Sequence, residues 1–121
     1  MIATTAIDTN IIIRALNGDE TCRKTINNKI PVISIITEIE LLSWPDLDPE
    51  GYKLITSFLE DCFIINISPE IKEKAIAIRK NYGLKVPDAI IAATAIIKNL
   101  TLFSADDIFA RVKELNFIHV Q

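Results

Sequence analysis

Acidic side chains stand at four separate places beside apolar segments of this chain. They are Asp8, Glu38 or Glu40, Asp88, and Asp106 or Asp107. Carboxylates that meet in one site repel one another, so they stay ionised only if a cation shares the site. Oxygen ligands without nearby His or Cys favour Mg²⁺ or Mn²⁺ over zinc. One or two such ions can activate water and stabilise an in-line displacement at phosphorus.

The composition is that of one globular domain. The chain has 121 residues, of which 50% are hydrophobic and 24% charged, and its formal net charge is −3. This net charge argues against a protein that binds nucleic acid through an overall basic surface, but it is compatible with a local basic patch. Cys22 and Cys62 are far apart in the sequence, which favours two free thiols over a disulfide framework or a zinc site.

No segment predicts export or membrane insertion. The N-terminus lacks a basic region, and Asp8 interrupts its apolar stretch too early for a signal peptide. The longest apolar run, residues 89–97, is much shorter than the about 20 residues that a membrane-spanning helix needs. We therefore expect a cytoplasmic protein with no membrane partner.

Strand-like and helical patterns alternate along the whole chain. The predicted strands cover residues 2–7, 31–35, 63–67, 101–104 and 117–120. The predicted helices cover residues 11–16, 20–28, 37–43, 50–61, 69–83, 87–99 and 106–115. This order predicts an α/β fold with a five-stranded, mostly parallel sheet and helices on both faces, in a single domain over residues 1–121.

The predicted sheet brings the acids to one edge. Ligands of open parallel sheets bind at the carboxyl ends of the strands, where the strand order reverses. Asp8 follows the first strand, Glu38 and Glu40 lie in the helix after the second, and Asp106 and Asp107 follow the fourth. The helix that Asp88 opens must run back to the start of the fourth strand, which places its N-terminus at the same edge. A simpler interpretation remains for each acid alone, because helix caps and first turns favour carboxylates anyway.

Four sequence stretches together resemble one known family. "IDTNIIIRAL", "SIITEIELL", "PDAIIAATAI" and "LFSADDIF", in this order, are similar to the motifs of the PIN domain, especially of the VapC-like toxins. The family's first acid, in a D-x-N pattern, corresponds to Asp8, with Asn10 as its polar partner. The glutamate of the T-x-x-E-L pattern corresponds to Glu40, through "TEIEL". The assignment matters because Glu38 and Glu40 point about 200° apart on a helix and cannot both face the site.

The other two motifs assign the remaining acids. The aspartate before I-A-A corresponds to Asp88, and that of the T-x-D pattern to Asp106, with Ser104 in place of the usual Thr. The fourth acid varies in the family, so Asp107 is an alternative to Asp106. The resemblance implies that the four acids are catalytic and hold Mg²⁺ or Mn²⁺. Asn10 and Ser104 are predicted to orient Asp8 and a bound water by hydrogen bonds.

The resemblance further implies a metal-dependent endoribonuclease, with RNA as substrate, that forms a homodimer and is held inactive by a cognate antitoxin protein. A housekeeping RNA-processing nuclease and a non-catalytic partner-binding module are the alternatives. A response-regulator receiver lacks support because the third strand ends without a phosphoacceptor Asp. A haloacid-dehalogenase-like phosphatase needs a second acid where Asn10 stands. No phosphate-binding glycine loop is present.

Cationic and aromatic residues give weaker indications. Arg14, one or two helical turns beyond Asp8, is the first candidate for contact with an RNA phosphate, while Arg79, Lys80 and Lys85 fit solvated charges. The single histidine, His119, fits a packing or surface role. Further apolar residues predict either core packing or a partner groove on one helix face: Leu54, Ile55, Phe58 and Leu59.

Overall fold

The computed structural model describes residues 3–121. Five strands form one sheet in the order β3-β2-β1-β4-β5, and every strand pairing among the described residues is parallel. The strands are β1 Ala3–Ile7, β2 Lys29–Ser34, β3 Phe63–Ile65, β4 Leu102–Ser104 and β5 Phe117–His119. The predicted α/β fold with a five-stranded parallel sheet is confirmed. Ile2, in the predicted first strand, lies outside the described residues.

Six α-helices connect or cover these strands in the described part of the chain. They are α1 Thr9–Leu16, α2 Glu20–Ile26, α3 Ile35–Leu42, α4 Pro49–Glu60, α5 Pro69–Tyr82 and α6 Val86–Ile97. Most begin at a polar residue whose side chain accepts a hydrogen bond from the first turn, as Ser68 does for α5. Helix α5 ends at Gly83, whose φ of 72° is a left-handed conformation that glycine adopts without strain. No helix within residues 3–121 is long and apolar enough to cross a membrane.

The sheet separates two apolar cores because successive residues of a strand face opposite sides. On β1, Ala6 packs into the core under α5 and α6, whereas the next residue, Ile7, packs into the core under α1 and α4. Leu102 pairs with Ala6 and shares its side of the sheet. Helices therefore cover both faces of the sheet, which leaves the ends of the strands for a ligand-binding site.

The predicted helix over residues 106–115 is wrong in type and length. The structure has a 3₁₀-helix, η1, over Asp107–Arg111, and Val112 is already extended. Ten α-helical residues would advance about 15 Å, whereas β4 has three residues and spans only about 10 Å. The chain must return over this short distance to begin β5 at Phe117, so a short, tight helix fits and a long one does not.

The apolar face of α4 divides between core and surface. Ile55 and Leu59 are buried in the core under α1. Leu54 and Phe58 instead line an open surface cavity of about 290 Å³, together with residues of α1 and α2 such as Leu16. Core packing is thus confirmed for Ile55 and Leu59, and a partner groove at Leu54 and Phe58 stays a prediction.

Candidate active site

The order of the strands reverses at one point of the sheet. β1 lies between β2 and β4, so the chain builds the sheet first toward β3 and then, in the opposite direction, toward β5. The reversal falls between β1 and β4, which end at Ile7 and Ser104. The backbone N–H of Asp8 donates to the carbonyl oxygen of Phe103 at 3.0 Å, so the two strand ends are in direct contact. Ligands of open parallel sheets bind at such a point.

Asp8 occupies this reversal point and is buried. Its side chain is the N-cap of α1: Oδ1 accepts from the N–H of Thr9 at 2.8 Å, and Oδ2 accepts from the hydroxyl of Ser104 at 2.7 Å. The residue is only 6% exposed. Burial raises the pKa of this carboxyl from 3.8 to about 6, opposed by the two hydrogen bonds and reinforced by the negative charges of Asp88 and Glu40.

Ser104 and Asn10 form one hydrogen-bonded turn around Asp8. The Asn10 amide donates to Ser104 Oγ at 3.3 Å, and its Oδ1 accepts from the N–H of Ala105 at 3.1 Å. The N–H of Asp106 also donates to Ser104 Oγ, at 3.0 Å. Ser104 therefore orients Asp8 directly, whereas Asn10 acts on Asp8 through Ser104 and the turn that follows it.

Glu40 reaches the same place from α3. Its Oε1 accepts a hydrogen bond of 2.6 Å from the hydroxyl of Thr9, the residue next to Asp8. Its negative charge contributes to the raised pKa of both Asp8 and Asp88. Glu38, on the same helix, contributes to neither. The structure thus directs Glu40 rather than Glu38 toward the other acids, as the match to the T-x-x-E-L pattern predicts.

Asp88 and Asp106 complete the group from two further segments. Asp88 lies half-buried in the first turn of α6. Burial raises its pKa, with further increases from the charges of Asp106 and Glu40 and an opposing effect from Lys85. Asp106 is exposed, and its Oδ1 caps η1 by accepting from the N–H of Ile108 at 3.0 Å. Asp107, the alternative fourth acid, adds nothing to the pKa of Asp88.

The donor set suits a hard divalent cation. All four acids offer carboxylate oxygens, and two of them carry raised pKa values because burial and like charge oppose ionisation, a cost that a cation would offset. Within residues 3–121, no three His, Cys, Asp or Glu side chains lie close enough to hold an ion directly. Mg²⁺ usually keeps several waters and binds through only one or two carboxylates, so the looser arrangement fits such an ion.

The cationic side chains that the sequence offered as candidates differ in what they contact. Lys85 is exposed just before α6, and its charge lowers the pKa of Asp88. Arg79 donates from Nη1 to the carbonyl oxygen of Leu84 at 2.8 Å, a contact within the turn after α5. Arg14 lies exposed in the last turn of α1, and its charge acts on the Cys22 thiol of α2. Lys85 is therefore the cation placed beside the acids, and the phosphate contact of Arg14 stays a prediction.

Two residues in the site, Thr9 and Thr37, were not identified from the sequence, and His119 lies at the surface as predicted. Thr9 contacts both Asp8 and Glu40, and its hydroxyl lies 3.2 Å from that of the buried Thr37. The i to i+3 spacing of Thr37 and Glu40 could have indicated a shared helix face. His119 is exposed, with Nε2 3.0 Å from the carbonyl oxygen of Ala105, in the turn that Asn10 also holds. Because a carbonyl oxygen only accepts, Nε2 is the donor.

Comparison with known proteins gives one consistent family. The sequence pattern of the PIN domain matches residues 5–115. A toxin–antitoxin complex from Klebsiella pneumoniae contains a chain similar in structure, with 31% identity, a TM-score of 0.83, and coverage of 93% of this chain and 95% of that one. The VapBC2 complex from Rickettsia felis, bound to a promoter DNA fragment, gives 23% identity, a TM-score of 0.83 and full coverage of both chains.

A DNA-bound VapBC complex from Salmonella typhimurium has the same fold, with a TM-score of 0.84 at 20% identity, covering 97% of this chain and 98% of that chain. No curated protein matches the sequence significantly. The match of the family pattern covers most of the chain and includes the segments that carry all four acids. This chain therefore belongs to the PIN domain family.

Proposed function

We propose that this protein is an Mg²⁺- or Mn²⁺-dependent endoribonuclease that hydrolyses RNA phosphodiester bonds, and that it is the toxin of a type II toxin–antitoxin pair. One observation carries the proposal. Acids from four separate segments interact electrostatically at the point where the strand order reverses, and the pKa values of two of them are raised. Helix capping would explain why Asp8 or Asp106, taken singly, stands at the start of a helix. It does not explain the charge interactions among Asp8, Asp106, Glu40 and Asp88.

Each residue has a defined part in this proposal. The ion would be held by the four carboxylates, directly or through water: Asp8, Glu40, Asp88 and Asp106. When bound, the ion lowers the pKa of water and offsets negative charge on the scissile phosphate. Ser104 keeps Oδ2 of Asp8 in place through its hydroxyl, and Asn10 fixes the turn that carries Ser104. Lys85, exposed beside Asp88, is the cation available to a backbone phosphate.

Partner proteins follow from the same proposal. The chain shares 31% identity with part of a Klebsiella pneumoniae toxin–antitoxin complex, which supports a cognate antitoxin as partner. We propose in addition that the protein is a homodimer and acts in the cytoplasm, where RNA is accessible to it. Light scattering of the purified protein tests the dimer, and co-purification with the product of a small adjacent gene tests the antitoxin.

The decisive experiment compares the wild type with Asp8→Asn. The amide retains an oxygen that can cap Thr9 but removes the negative charge from the centre of the group. Both proteins are incubated with a panel of RNAs, with Mn²⁺ and with EDTA. We expect cleavage only by the wild type in Mn²⁺. Glu60→Gln, which removes an exposed carboxylate on α4, is the control and should cut like the wild type.

Thermal unfolding in Mn²⁺ separates the enzyme from a protein that only binds partners. An ion that binds the folded state raises the melting temperature as occupancy rises. Wild type and Glu60→Gln should show this rise, and Asp8→Asn should show little. Absence of any rise in the wild type at millimolar Mn²⁺, together with no cleavage, would identify a non-catalytic binding module instead.

A further inference from the structure

Thr9 makes hydrogen bonds to two of the candidate acids at once. Its backbone N–H donates to Oδ1 of Asp8 at 2.8 Å, and its hydroxyl donates to Oε1 of Glu40 at 2.6 Å. Asp8 and Glu40 are 32 positions apart in the sequence and belong to different elements, yet one residue joins them. No other residue in the described chain has a hydrogen bond to both.

The Thr9 hydroxyl also has a hydrogen bond with the hydroxyl of Thr37, in which Thr37 is the donor. A threonine hydroxyl has one hydrogen and two acceptor sites. The hydrogen of Thr9 goes to Glu40, at the shorter distance of 2.6 Å, so the 3.2 Å contact with Thr37 is one in which Thr37 donates. Thr37 thus fixes the direction in which the Thr9 hydroxyl points. The chain of donors runs from Thr37 through Thr9 to the carboxylate of Glu40.

Burial makes this chain of hydrogen bonds rigid. Thr9 is 5% exposed and Thr37 fully buried, so water cannot replace either hydroxyl. Thr9 starts α1 and Thr37 lies in the first turn of α3, so the contact also fixes the two helix starts relative to each other. A buried donor to a carboxylate is among the stronger hydrogen bonds in proteins. Nothing else in the described structure donates to Glu40.

We propose that Thr9 is a positioning residue that holds the Asp8 and Glu40 carboxylates at a fixed separation, and that Thr37 sets the direction of its hydroxyl. The inference rests on the proposed metal-dependent function, because the fixed separation matters only if the two acids act together. Thr9 itself is only 5% exposed, so its hydroxyl is not available as a contact for RNA. Its loss should therefore weaken the ion's site and slow the reaction while leaving the affinity for RNA nearly unchanged.

The test uses Thr9→Val, which keeps the shape of the side chain and removes the hydroxyl, and Thr9→Ser, which restores it. Thr94→Val is the matched control, since Thr94 is also buried but its hydroxyl bonds only within α6, to the carbonyl oxygen of Ile90. Calorimetric titration of the RNA-free proteins with Mn²⁺ gives the affinity, and steady-state cleavage gives kcat and KM.

We expect Thr9→Val to bind Mn²⁺ about 10- to 100-fold more weakly and to lose kcat by a similar factor, because removal of a residue that orients a ligand typically costs this much. KM for RNA should stay within a few-fold of the wild-type value. Thr9→Ser should recover most of the loss, and Thr94→Val should match the wild type. Wild-type Mn²⁺ affinity and kcat in a folded Thr9→Val protein would overturn the inference and leave the proposed function intact.

If wild type itself neither binds Mn²⁺ nor cuts RNA, the proposed function fails first and takes the inference with it. Thr37→Val covers the case in which Thr9→Val does not fold, since it removes only the donor beneath Thr9. Weaker Mn²⁺ binding by Thr37→Val supports the inference, and wild-type binding by Thr37→Val contradicts it. A double-mutant cycle adds the specific readout: Thr9→Val should cost little further Mn²⁺ affinity once Glu40→Ala has removed the acceptor of its hydroxyl.

Discussion

The raised pKa of Asp8 predicts that the metal-free protein loses stability as the pH rises. In the folded state the pKa is about 6, against an ordinary value of 3.8. Between these values the folded protein binds more protons than the unfolded chain, so the free energy of unfolding falls with increasing pH. The contribution is present below the unfolded value of 3.8 and is lost as the pH passes through about 6.

The expected size follows from the same two pKa values. A difference of about two units corresponds to about 3 kcal/mol between full protonation and full ionisation of Asp8. Roughly half of this, about 1.4 kcal/mol, falls between pH 5 and pH 7.5. Since Asp8 is nearly fully buried, solvent screening removes little of it. The change is large enough to measure by urea unfolding in EDTA.

Asp8→Asn cannot ionise and should lack this part of the pH dependence. Its absolute stability is a poorer readout, because the amide loses the hydrogen bond that the Ser104 hydroxyl now donates, at a cost of about 1 kcal/mol. The comparison is therefore the change in unfolding free energy between the two pH values, for wild type, Asp8→Asn and the control Glu60→Gln. Equal changes in wild type and Asp8→Asn would refute the assignment of a buried, charge-coupled carboxylate to Asp8.

Four further variants test separate features of the structure. Ser104→Ala, which removes the donor to Oδ2 of Asp8, should reduce Mn²⁺ affinity by about 10- to 100-fold in calorimetry. Lys85→Ala should lower the slope of log K for RNA binding against log salt by about one, if one phosphate contact is lost. Arg14→Ala in the same titration decides whether Arg14 adds a contact of its own. Gly83→Ala should lower the free energy of unfolding by about 1 kcal/mol, because φ is 72° although the added methyl group meets no atom within 4 Å.

Each of these expectations has a contrary result. Undiminished Mn²⁺ affinity in Ser104→Ala would show that the hydroxyl does not orient Asp8. An unchanged salt slope in Lys85→Ala would leave the site without a named phosphate contact. Urea unfolding of Gly83→Ala that matches the wild type would mean that the end of α5 relaxes to a negative φ without cost.

The sequence was sufficient for the fold because its patterns and the rules of parallel sheets agree. Strand and helix patterns alternate, and this alternation predicts the parallel sheet that is observed. The same rules predict that Asp8 and the turn after Ser104 meet at one edge. They failed for residues 106–115, where the length of the neighbouring strand, not the local pattern, determines how long the helix can be.

The contacts within the site were only partly predictable. Helix geometry excludes that Glu38 and Glu40 both face the site, the resemblance to the T-x-x-E-L pattern predicts Glu40, and the structure places Glu40 against Thr9. The role of Thr9 was hidden because it depends on Thr37 and Glu40, which lie 28 and 31 positions away. Both hydrogen-bond partners of the Thr9 hydroxyl lie on another helix, α3. The sequence patterns do not show which side chains of two helices come within hydrogen-bonding distance.

The central place of β1 also determines when the site can exist. Asp8 belongs to the first strand, whereas the Ser104 hydroxyl that holds it comes 96 positions later, on a strand that must pair beside it. A chain still being synthesised displays the first carboxylate long before its partner has been made, and pairings over such long separations form slowly. An unfinished or truncated copy that ends before β4 lacks both Asp106 and the Ser104 hydroxyl that holds Asp8, so the proposed cleavage would require nearly the whole polypeptide.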